Sequence, residues 1–423
     1  MYLGIDLGTS EVKTILVDAA QEPVATARAP LAVDRPRPGF AEQDPEDWWR
    51  AVTATLDQLQ ATRADALAAV RGVGLAGQMH GATLLDAADR PLRPCILWND
   101  GRAAAECDEL DQAADFRGIA GNLVMAGFTA PKLRWVERHE PEVFRRVRRV
   151  LLPKDYIRLR LTGEAVSEMS DAAGTLWLDT AARRWSPALL AATHLDERRM
   201  PRLVEGSAAA GRLATQLAAR WGMATPPVVA GGASDNAASA CGIGAVASGR
   251  AFLSLGTSGV LFVATDRFRP NVEGGVHAFC HAVPATWHQM AVILAAADGL
   301  AWWARQVGAR PDELTAALGE RPTAPSPALF FPYLGGERTP HNDVAVRGAF
   351  AGLGHDVDRA ALTRAVLEGV AFAFRDGLDA LTAAGATVGE ITAVGGGARS
   401  PFWLAVLASV LERRLHVPAA GEV

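Results

Sequence analysis

One short string occurs twice in this chain, and each copy lies between two apolar segments. Leu-Gly-Thr-Ser stands at positions 7–10 and again at positions 255–258. The flanking runs of Val, Ile, Leu and Ala around a small-residue turn are typical of a β-hairpin. Similarity at so long a spacing predicts a duplicated domain rather than a solenoid of short repeats.

The two copies divide the chain into two predicted domains, residues 1–245 and 246–423. We place the boundary near residues 244–249, where small residues interrupt the apolar pattern. A helix is predicted to begin at Pro45 with Asp44 as its N-cap. Strand patterns and helix patterns alternate in both halves, which predicts the α/β class.

Charge and hydropathy exclude several classes of protein. The net charge of −5, from 47 acidic and 42 basic residues, is too small to indicate nucleic acid or an anionic membrane as the main partner. The apolar stretch at 290–297 ends at Asp298 and is too short to span a bilayer. The chain opens directly on a strand pattern, and its four cysteines form no C-x-x-C pair. We therefore expect a cytoplasmic protein with buried, unreactive cysteines.

The first hairpin turn combines a carboxylate with a glycine. Asp6 lies two residues before Gly8, Thr9 and Ser10. A glycine turn lets backbone N–H groups converge on phosphate, and a nearby carboxylate can hold Mg²⁺. The alternative is a plain tight turn with Asp6 in solvent. The second copy, at residues 256–258, favours two phosphate-binding turns.

A candidate catalytic acid follows another apolar strand. Residues 227–230 are apolar, residues 231–234 are small, and Asp235 stands where a helix would begin. One interpretation makes Asp235 the general base that accepts the proton of an attacking hydroxyl group. The other makes it a helix N-cap, which is common. The two roles are compatible.

Three further clusters follow predicted strands, where ligands of α/β proteins tend to bind. They are Gln78-Met79-His80, the segment from Trp98 to Arg102, and the glycine-rich loop at 395–397. The mixed donors and acceptors of the clusters at 78–80 and 98–102 would suit a polyol. The glycines at 395–397 would allow a nucleotide to approach the backbone closely. A lone histidine is more often structural, so only the neighbouring polar residues support the prediction that His80 binds a ligand.

Two motif matches are set aside. Residues 72–77 fit G-x-G-x-x-G but lie within a strand pattern, so the context of a dinucleotide-binding fold is missing. His277, Cys280 and His281 could suggest a metal, but the alternation of this segment predicts a strand. The chain has no Gly-Lys pair and hence no standard P-loop.

With these residues in view, the chain resembles the FGGY family of carbohydrate kinases, from Leu3 to about Val417. Two further segments carry the resemblance, residues 127–136 and residues 347–353. The strings at 77–81 and 96–102 resemble members that phosphorylate D-xylulose more than those that act on glycerol, gluconate or ribulose. The resemblance implies duplicated actin-like, ribonuclease H-like ATPase domains flanking a central cleft, with ATP and Mg²⁺ as cofactors.

The resemblance also implies roles for individual residues. Asp235 would be the catalytic base, and Asp6 would act at the phosphates and hold the metal. The expected sugar-binding residues are Gln78, Met79, His80, Trp98, Asn99, Asp100, Arg102 and Asn236. The expected nucleotide-binding residues are Gly8, Thr9, Ser10, Lys13, Gly256, Thr257, Ser258, Gly396, Gly397 and Ala398.

Members of the family continue past the point that corresponds to Val423, so we expect this chain to lack their final helices. The expected partners are D-xylulose and ATP. A homodimer is one possible assembly, and the sequence leaves the oligomeric state open. Alternatives are a family kinase for ribulose, xylitol, glycerol or gluconate, a kinase inactivated by the missing segment, and a non-catalytic actin-like ATP-binding module.

Overall fold

The computed structural model describes residues 1–322 and 324–418. Its internal contacts divide the chain into two compact units. The first is Met1–Ala238 with Phe279–Ala285, and the second is Ser239–Ala278 with Thr286–Val423. Residues 419–423, in which the predicted second domain ends, lie outside the described residues.

The first unit is built on a mixed sheet and contains most of the shorter elements. Its strands are β1 (Tyr2–Leu7), β2 (Glu11–Val17), β3 (Pro23–Pro30), β4 (Glu42–Gln43), β5 (Gly72–Gly77), β6 (Thr83–Leu85), β7 (Cys95–Ile96), β8 (Arg149–Leu151), β9 (Val166–Glu168), β10 (Leu178–Asp179), β11 (Arg184–Trp185), β12 (Arg202–Val204), β13 (Ala209–Arg212), β14 (Val228–Ala230) and β15 (Ala233–Ser234). Its helices are α1 (Pro45–Ala68), α2 (Ala104–Ala113), α3 (Phe116–Ile119), α4 (Thr129–His139), α5 (Pro141–Arg146), α6 (Pro153–Thr162), α7 (Met169–Ala173), α8 (Pro187–Ala192), α9 (Thr215–Arg220) and α10 (Asp235–Gly242), with a 3₁₀ turn at Glu197–Arg199.

The main sheet of the first unit has the order β13-β14-β5-β1-β2-β3, and β15 also pairs with β5. Strands β1 and β2 form the predicted hairpin, in which Leu7 pairs with Val12. Strand β5 runs parallel to β1, with Gly77 opposite Leu7. The carboxyl ends of β1, β5 and β15 therefore lie at one edge of the sheet, the edge at which α/β ligands bind.

Helix α1 shows why the local sequence folds as it does. Asp44 caps it by accepting a hydrogen bond from Glu46 N at 2.9 Å, and Pro45 occupies the first turn, as predicted. Trp48, Val52, Leu56 and Leu59 bury one face of the helix against the sheet. Burial of these side chains supplies most of the stabilisation of such a helix.

The second unit repeats the central arrangement of the first. Its strands are β16 (Ala251–Leu255), β17 (Gly259–Thr265), β18 (His277–Cys280), β19 (Trp287–Ile293), β20 (Leu329–Phe331), β21 (Ala349–Ala351), β22 (Ile391–Val394) and β23 (Leu415–His416). Its helices are α11 (Ala297–Gln306), α12 (Pro311–Ala316), α13 (Arg359–Ala383) and α14 (Pro401–Leu411), with a 3₁₀ turn at Gly396–Arg399. Helices α11, α13 and α14 pack on the sheet through one apolar core.

The second sheet has the order β18-β19-β17-β16-β22-β23. Strand β16 pairs antiparallel with β17 after the Gly-Thr-Ser turn and parallel with the later strand β22. These are the relations of β1 to β2 and to β5 in the first unit. The shared topology agrees with the duplication that the repeated string predicts, and the α/β class is confirmed.

Some details differ from the sequence expectation. Cys95 and Cys280 are buried, but Cys241 is exposed. Cys241 lies in the last turn of helix α10. None of the helices in the described part of the chain combines the length and apolar character that a membrane crossing requires.

Candidate active site

The turn that follows β1 is held in place by two buried glutamines. The Thr9 hydroxyl group donates to Gln78 Oε1 at 3.1 Å, and Gln78 Nε2 donates to Gly8 O at 3.3 Å and to Gln43 Oε1 at 3.1 Å. Gln43 Nε2 donates to Thr9 O at 2.7 Å. The carboxamide of Gln78 is thus committed to the turn. Sequence reasoning missed Gln43, which follows no strong motif.

Trp98 and Asn99 lie beside this turn at the surface. The indole N–H of Trp98 donates to Thr9 Oγ1 at 3.0 Å, while 48% of the residue stays exposed. A Cβ at Gly127 would come within 2.6 Å of Trp98 O, so only glycine fits there. An exposed indole anchored at one end is suited to contact a small ligand.

Asp100 and Arg102 form a buried ion pair instead of facing a pocket. Asp100 Oδ2 accepts from Ala41 N at 2.6 Å and from Arg102 Nη2 at 2.7 Å. Arg102 also pairs with Glu42 at 2.6 Å, and its guanidinium group lies 3.9 Å from the centroid of the Phe40 ring. Both side chains are therefore already engaged within the fold.

Met79 and His80 follow Gln78, the first residue after β5. His80 adopts a φ of 68°, and its Nδ1 lies 2.7 Å from Gly174 O. Since a carbonyl oxygen only accepts, Nδ1 carries the hydrogen and Nε2 is the acceptor of the ring. Burial lowers the pKa of His80 to about 3, so the ring is neutral at physiological pH. Gly174 must be glycine, because a Cβ there would meet both His80 and Met79 at 2.8 Å.

Lys132 lies beneath His80 and was missed from the sequence. It is fully buried on α4, and its Nζ donates to His80 O and to Gly127 O, each at 2.8 Å. Burial lowers the pKa of Lys132 to about 7. A neutral amine has two N–H donors, which match these two carbonyl acceptors. The sequence did contain a signal for this residue, because the chain has only three lysines and this one stands between apolar neighbours.

We expect the free energy of unfolding of the wild type, minus that of a Lys132→Met variant, to increase between about pH 7 and pH 10. The folded state releases the proton of Lys132 near pH 7, whereas the unfolded state keeps it to about pH 10.4, so the unfolded state binds more protons in this window. The upper limit is about 1.4 kcal/mol per pH unit. Urea unfolding at several pH values measures the difference. Lys13→Met, on a partly exposed strand position, is the control, and equal pH slopes for both variants would contradict the assignment.

Asp235 stands at the carboxyl end of β15 and opens α10. Asn236 donates to its Oδ1 twice, from the backbone N at 2.7 Å and from Nδ2 at 3.0 Å. Among the described residues, Oδ2 is thus left as the proton acceptor. Burial raises the pKa of Asp235 to about 6, and the charge of Asp6 adds to the increase while the bonds from Asn236 oppose it. A carboxylate with this pKa suits a general base near neutral pH.

Asp6 and Lys13 lie opposite each other in the first hairpin and face the same side of the sheet. Loss of hydration next to protein atoms raises the pKa of Asp6, Lys13 lowers it, and Glu11 raises it again. Asp6 lies on β1 and Asp235 follows β15, and both strands pair with β5, so the two carboxylates belong to neighbouring elements of the first unit. No group of three or more His, Cys, Asp or Glu side chains suited to a metal occurs among the described residues.

The second unit brings its two glycine-rich segments together. Gly395, with a φ of 90°, and Gly397 pack on the end of β16, where a Cβ at either would come within 2.9 Å of Leu255. Gly396 faces open space, and Ala398 is buried. The turn at residues 256–258 follows Leu255 directly, and Ala297 N donates to Gly256 O at 2.8 Å. These predicted nucleotide-binding residues therefore lie side by side in one unit.

The two rejected motifs have the structures that the sequence predicted. Gly72–Gly77 is strand β5 and does not open a helix. His277–Cys280 is strand β18. Gly72–Gly77 therefore lacks the strand-to-helix turn that its motif would require.

Comparison with known proteins identifies relatives along the whole chain. Residues 1–242 match the N-terminal domain, and residues 251–423 the C-terminal domain, of the FGGY family of carbohydrate kinases. The xylulose kinase of Escherichia coli strain K12 is 51% identical over 425 residues, which cover 100% of this chain and 87% of that protein.

Solved structures give the same result. A structure described as a xyloylose kinase from Brucella ovis has a TM-score of 0.98 and 58% identity and covers 100% of this chain and 87% of its own. The xylulose kinase of Rhodospirillum rubrum has a TM-score of 0.92 and 31% identity, with coverage of 99% and 87%.

Proposed function

Because this chain belongs to the FGGY family of carbohydrate kinases, we propose that it transfers the γ-phosphoryl group of ATP to D-xylulose. The products are ADP and D-xylulose 5-phosphate. The observation that carries the choice of sugar is the 51% identity over the whole chain to a xylulose kinase. The fold agrees with solved xylulose kinases of several bacteria.

In this proposal Asp235 accepts the proton of the attacking sugar hydroxyl group. Support comes from its place at a strand end, its free Oδ2 and its pKa of about 6. At pH 7 most of the carboxylate is ionised, so it is ready to accept a proton in the transition state. The two bonds from Asn236 to Oδ1 hold the carboxyl group in one orientation.

The phosphates of ATP are assigned to the two Gly-Thr-Ser turns and Lys13, and the adenosine side to Gly396, Gly397 and Ala398. Asp6 is the proposed carboxylate for Mg²⁺. A single carboxylate can suit this metal, because Mg²⁺ in kinases is held by one or two carboxylates, waters and the phosphates themselves. Bound Mg²⁺ supplies positive charge that offsets the charge of the transferring phosphoryl group.

For the sugar we propose direct contacts from Met79, His80, Trp98, Asn99 and Asn236. His80 Nε2 offers an acceptor to a sugar hydroxyl group, and Trp98 offers an exposed ring. Gln78, Asp100 and Arg102 were predicted in the same set. Their side chains are engaged in the bonds described above, so we propose that they position the neighbouring loops instead.

ADP release from Mg-ATP tests the function, with D-xylulose, ribulose, xylitol, glycerol and gluconate compared at equal concentration. We expect D-xylulose to stimulate release by at least about tenfold more than any other sugar, which corresponds to about 1.4 kcal/mol of discrimination. Stronger stimulation by another sugar would assign the chain to a different substrate while keeping it a kinase of this family. ATP hydrolysis that ignores every sugar would favour a non-catalytic ATP-binding module.

The pH dependence should report the ionisation of Asp235. We expect kcat/KM for D-xylulose to fall below about pH 6, by up to tenfold per pH unit, because only the ionised carboxylate accepts a proton. Initial rates between pH 5 and pH 8 at constant ionic strength measure it, with thermal unfolding as the control for stability. A flat profile across this range would argue against Asp235 as the base.

A cytoplasmic location and a homodimeric assembly are also proposals at this point. Use of ATP and a free sugar is consistent with the first. Cell fractionation tests the location, and light scattering tests the assembly.

A further inference from the structure

A cluster of charged side chains is buried below the segment that leads to Asp235. It consists of Lys154, Asp155, Arg158, Glu168 and Asp171, whose side chains are all 0% exposed. Lys154 and Arg158 lie on α6, and the three acids lie on α6, at the end of β9 and on α7. We call this set the buried charge cluster. Charged side chains are rarely fully buried unless they are paired with an opposite charge.

Lys154 is the centre of the cluster. Its Nζ lies 2.8 Å from Asp155 Oδ1, 3.3 Å from Asp171 Oδ2 and 3.6 Å from Glu168 Oε1. Arg158 Nη1 donates to Asp155 Oδ1 at 2.6 Å. Two cations therefore face three carboxyl groups in a dry environment.

Burial raises the pKa of Asp171 well above its ordinary value, whereas Lys154 and Arg158 hold the pKa of Asp155 below it against the effect of burial. Burial thus favours the neutral form of Asp171, which lowers the excess negative charge of the three acids and with it the desolvation cost of the cluster.

Two groups connect the cluster to the segment before Asp235. Ser170 Oγ accepts a hydrogen bond from Ser234 N at 3.0 Å, and the same hydroxyl group donates to Glu168 at 2.9 Å. Arg158 Nη2 donates to Gly231 O. The first contact holds the residue directly before Asp235, and the second holds the residue that begins the turn.

The segment itself has a fixed shape. Gly232 has a φ of 76°, and a Cβ there would lie 2.2 Å from Leu75 O. Ser234 pairs with Gly77 at the end of β5. Glu168 orients the hydroxyl group of Ser170, so the lone pairs of that oxygen remain directed at Ser234 N.

We propose that Ser170 is a positioning residue for the reaction. It transmits the rigidity of the buried charge cluster to the backbone of Ser234 and so aims the carboxylate of Asp235. The inference rests on the proposed function, because it assigns Ser170 to the geometry of the base. A misplacement of a reacting group by about 1 Å costs up to about 100-fold in rate.

Ser170→Ala tests this inference, with Ser186→Ala as the matched control. Ser186 is also buried and accepts from a backbone N–H, that of Leu189, but it caps α8. We expect Ser170→Ala to lower kcat by about 10- to 100-fold with KM for ATP changed less than about twofold. Ser186→Ala should leave both constants within about twofold of the wild type.

Two readouts separate positioning from general loss of structure. Combining Ser170→Ala with Asp235→Asn should add little further loss, since Ser170 acts through Asp235, whereas independent effects would multiply. Hydrogen–deuterium exchange should accelerate in the peptide that contains Ser234 and not in distant peptides. If Ser170→Ala does not fold, Ser170→Thr retains the hydroxyl group and should keep kcat within about threefold.

Wild-type kcat and unchanged exchange in Ser170→Ala would overturn the inference while leaving the kinase assignment intact. A fully multiplicative double variant would also overturn it. If the wild type phosphorylates no sugar, the proposed function fails instead. The exchange measurement would then still decide whether Ser170 holds Ser234.

Discussion

Asp235→Asn is expected to lower kcat for D-xylulose by about 10³-fold or more, while the Kd of the sugar changes less than about threefold. The amide is nearly isosteric with the carboxylate and can keep the two bonds from Asn236 to the oxygen. It cannot accept the proton of the hydroxyl group. Single-turnover phosphorylation measures the loss, and calorimetry with the sugar measures binding.

The same variant should be more stable than the wild type at pH 7, by up to about 3 kcal/mol. Burial raises the pKa of Asp235 to about 6, so ionisation costs more in the folded state than in the unfolded state. The cost appears as pH rises from about 4 to about 6 and is fully present above that. The Asn side chain has no such cost.

Asp115→Asn is the control for both measurements. Asp115 is exposed and caps α3 by accepting from Gly118 N at 2.8 Å, a bond that Asn can also accept. It makes the same change in charge and should leave activity and stability near wild-type values. Full turnover in Asp235→Asn would remove Asp235 from the role of base.

Asp155→Asn is expected to lower the free energy of unfolding by about 3–5 kcal/mol. Asp155 Oδ1 pairs with both Lys154 and Arg158, and all three side chains are fully buried. Removing this anion leaves the two buried cations short of a counter-charge. Urea unfolding followed by tryptophan fluorescence measures the loss, and transition midpoints are compared because a chain of two units need not unfold in one step.

Asp171→Asn is the matched variant within the same cluster. Burial raises the pKa of Asp171 and so favours its neutral form, which means that an uncharged amide removes less from the cluster here than at position 155. We expect a change of less than about 1 kcal/mol. Equal losses of unfolding free energy in Asp155→Asn and Asp171→Asn would show that the two carboxyl groups do not differ in ionisation as described.

Several features were predictable from the sequence because they depend on local chemistry. The hairpin around residues 8–10 follows from two apolar strands and a small-residue turn, and its second copy predicted the duplicated sheet. Asp44 and Pro45 specify the start of α1 within three residues. The position of Asp235 at a helix start followed from a strand, a run of small residues and a carboxylate.

Other features could not be predicted because their partners are distant along the chain. The bonds of Gln78, Asp100 and Arg102 to Thr9, Ala41 and Glu42 depend on such distant partners, and the ligand-binding roles expected for these three residues stay predictions. The buried charge cluster joins residues of α6 with Glu168 on β9 and Asp171 on α7, which are separated along the chain. Lys132 likewise gains its role only where α4 packs beneath His80.

The sequence by itself determined the two related sheets, the family and the carboxylate that stands at the end of β15, since strand periodicity, turn residues and motif order are properties of neighbouring positions. Only the tertiary structure decided which polar groups remain free for a ligand. Each polar side chain has a limited number of donor and acceptor positions. The fold uses those of Gln78, Asp100 and Arg102 for internal bonds, whereas no bond within the described residues reaches Oδ2 of Asp235.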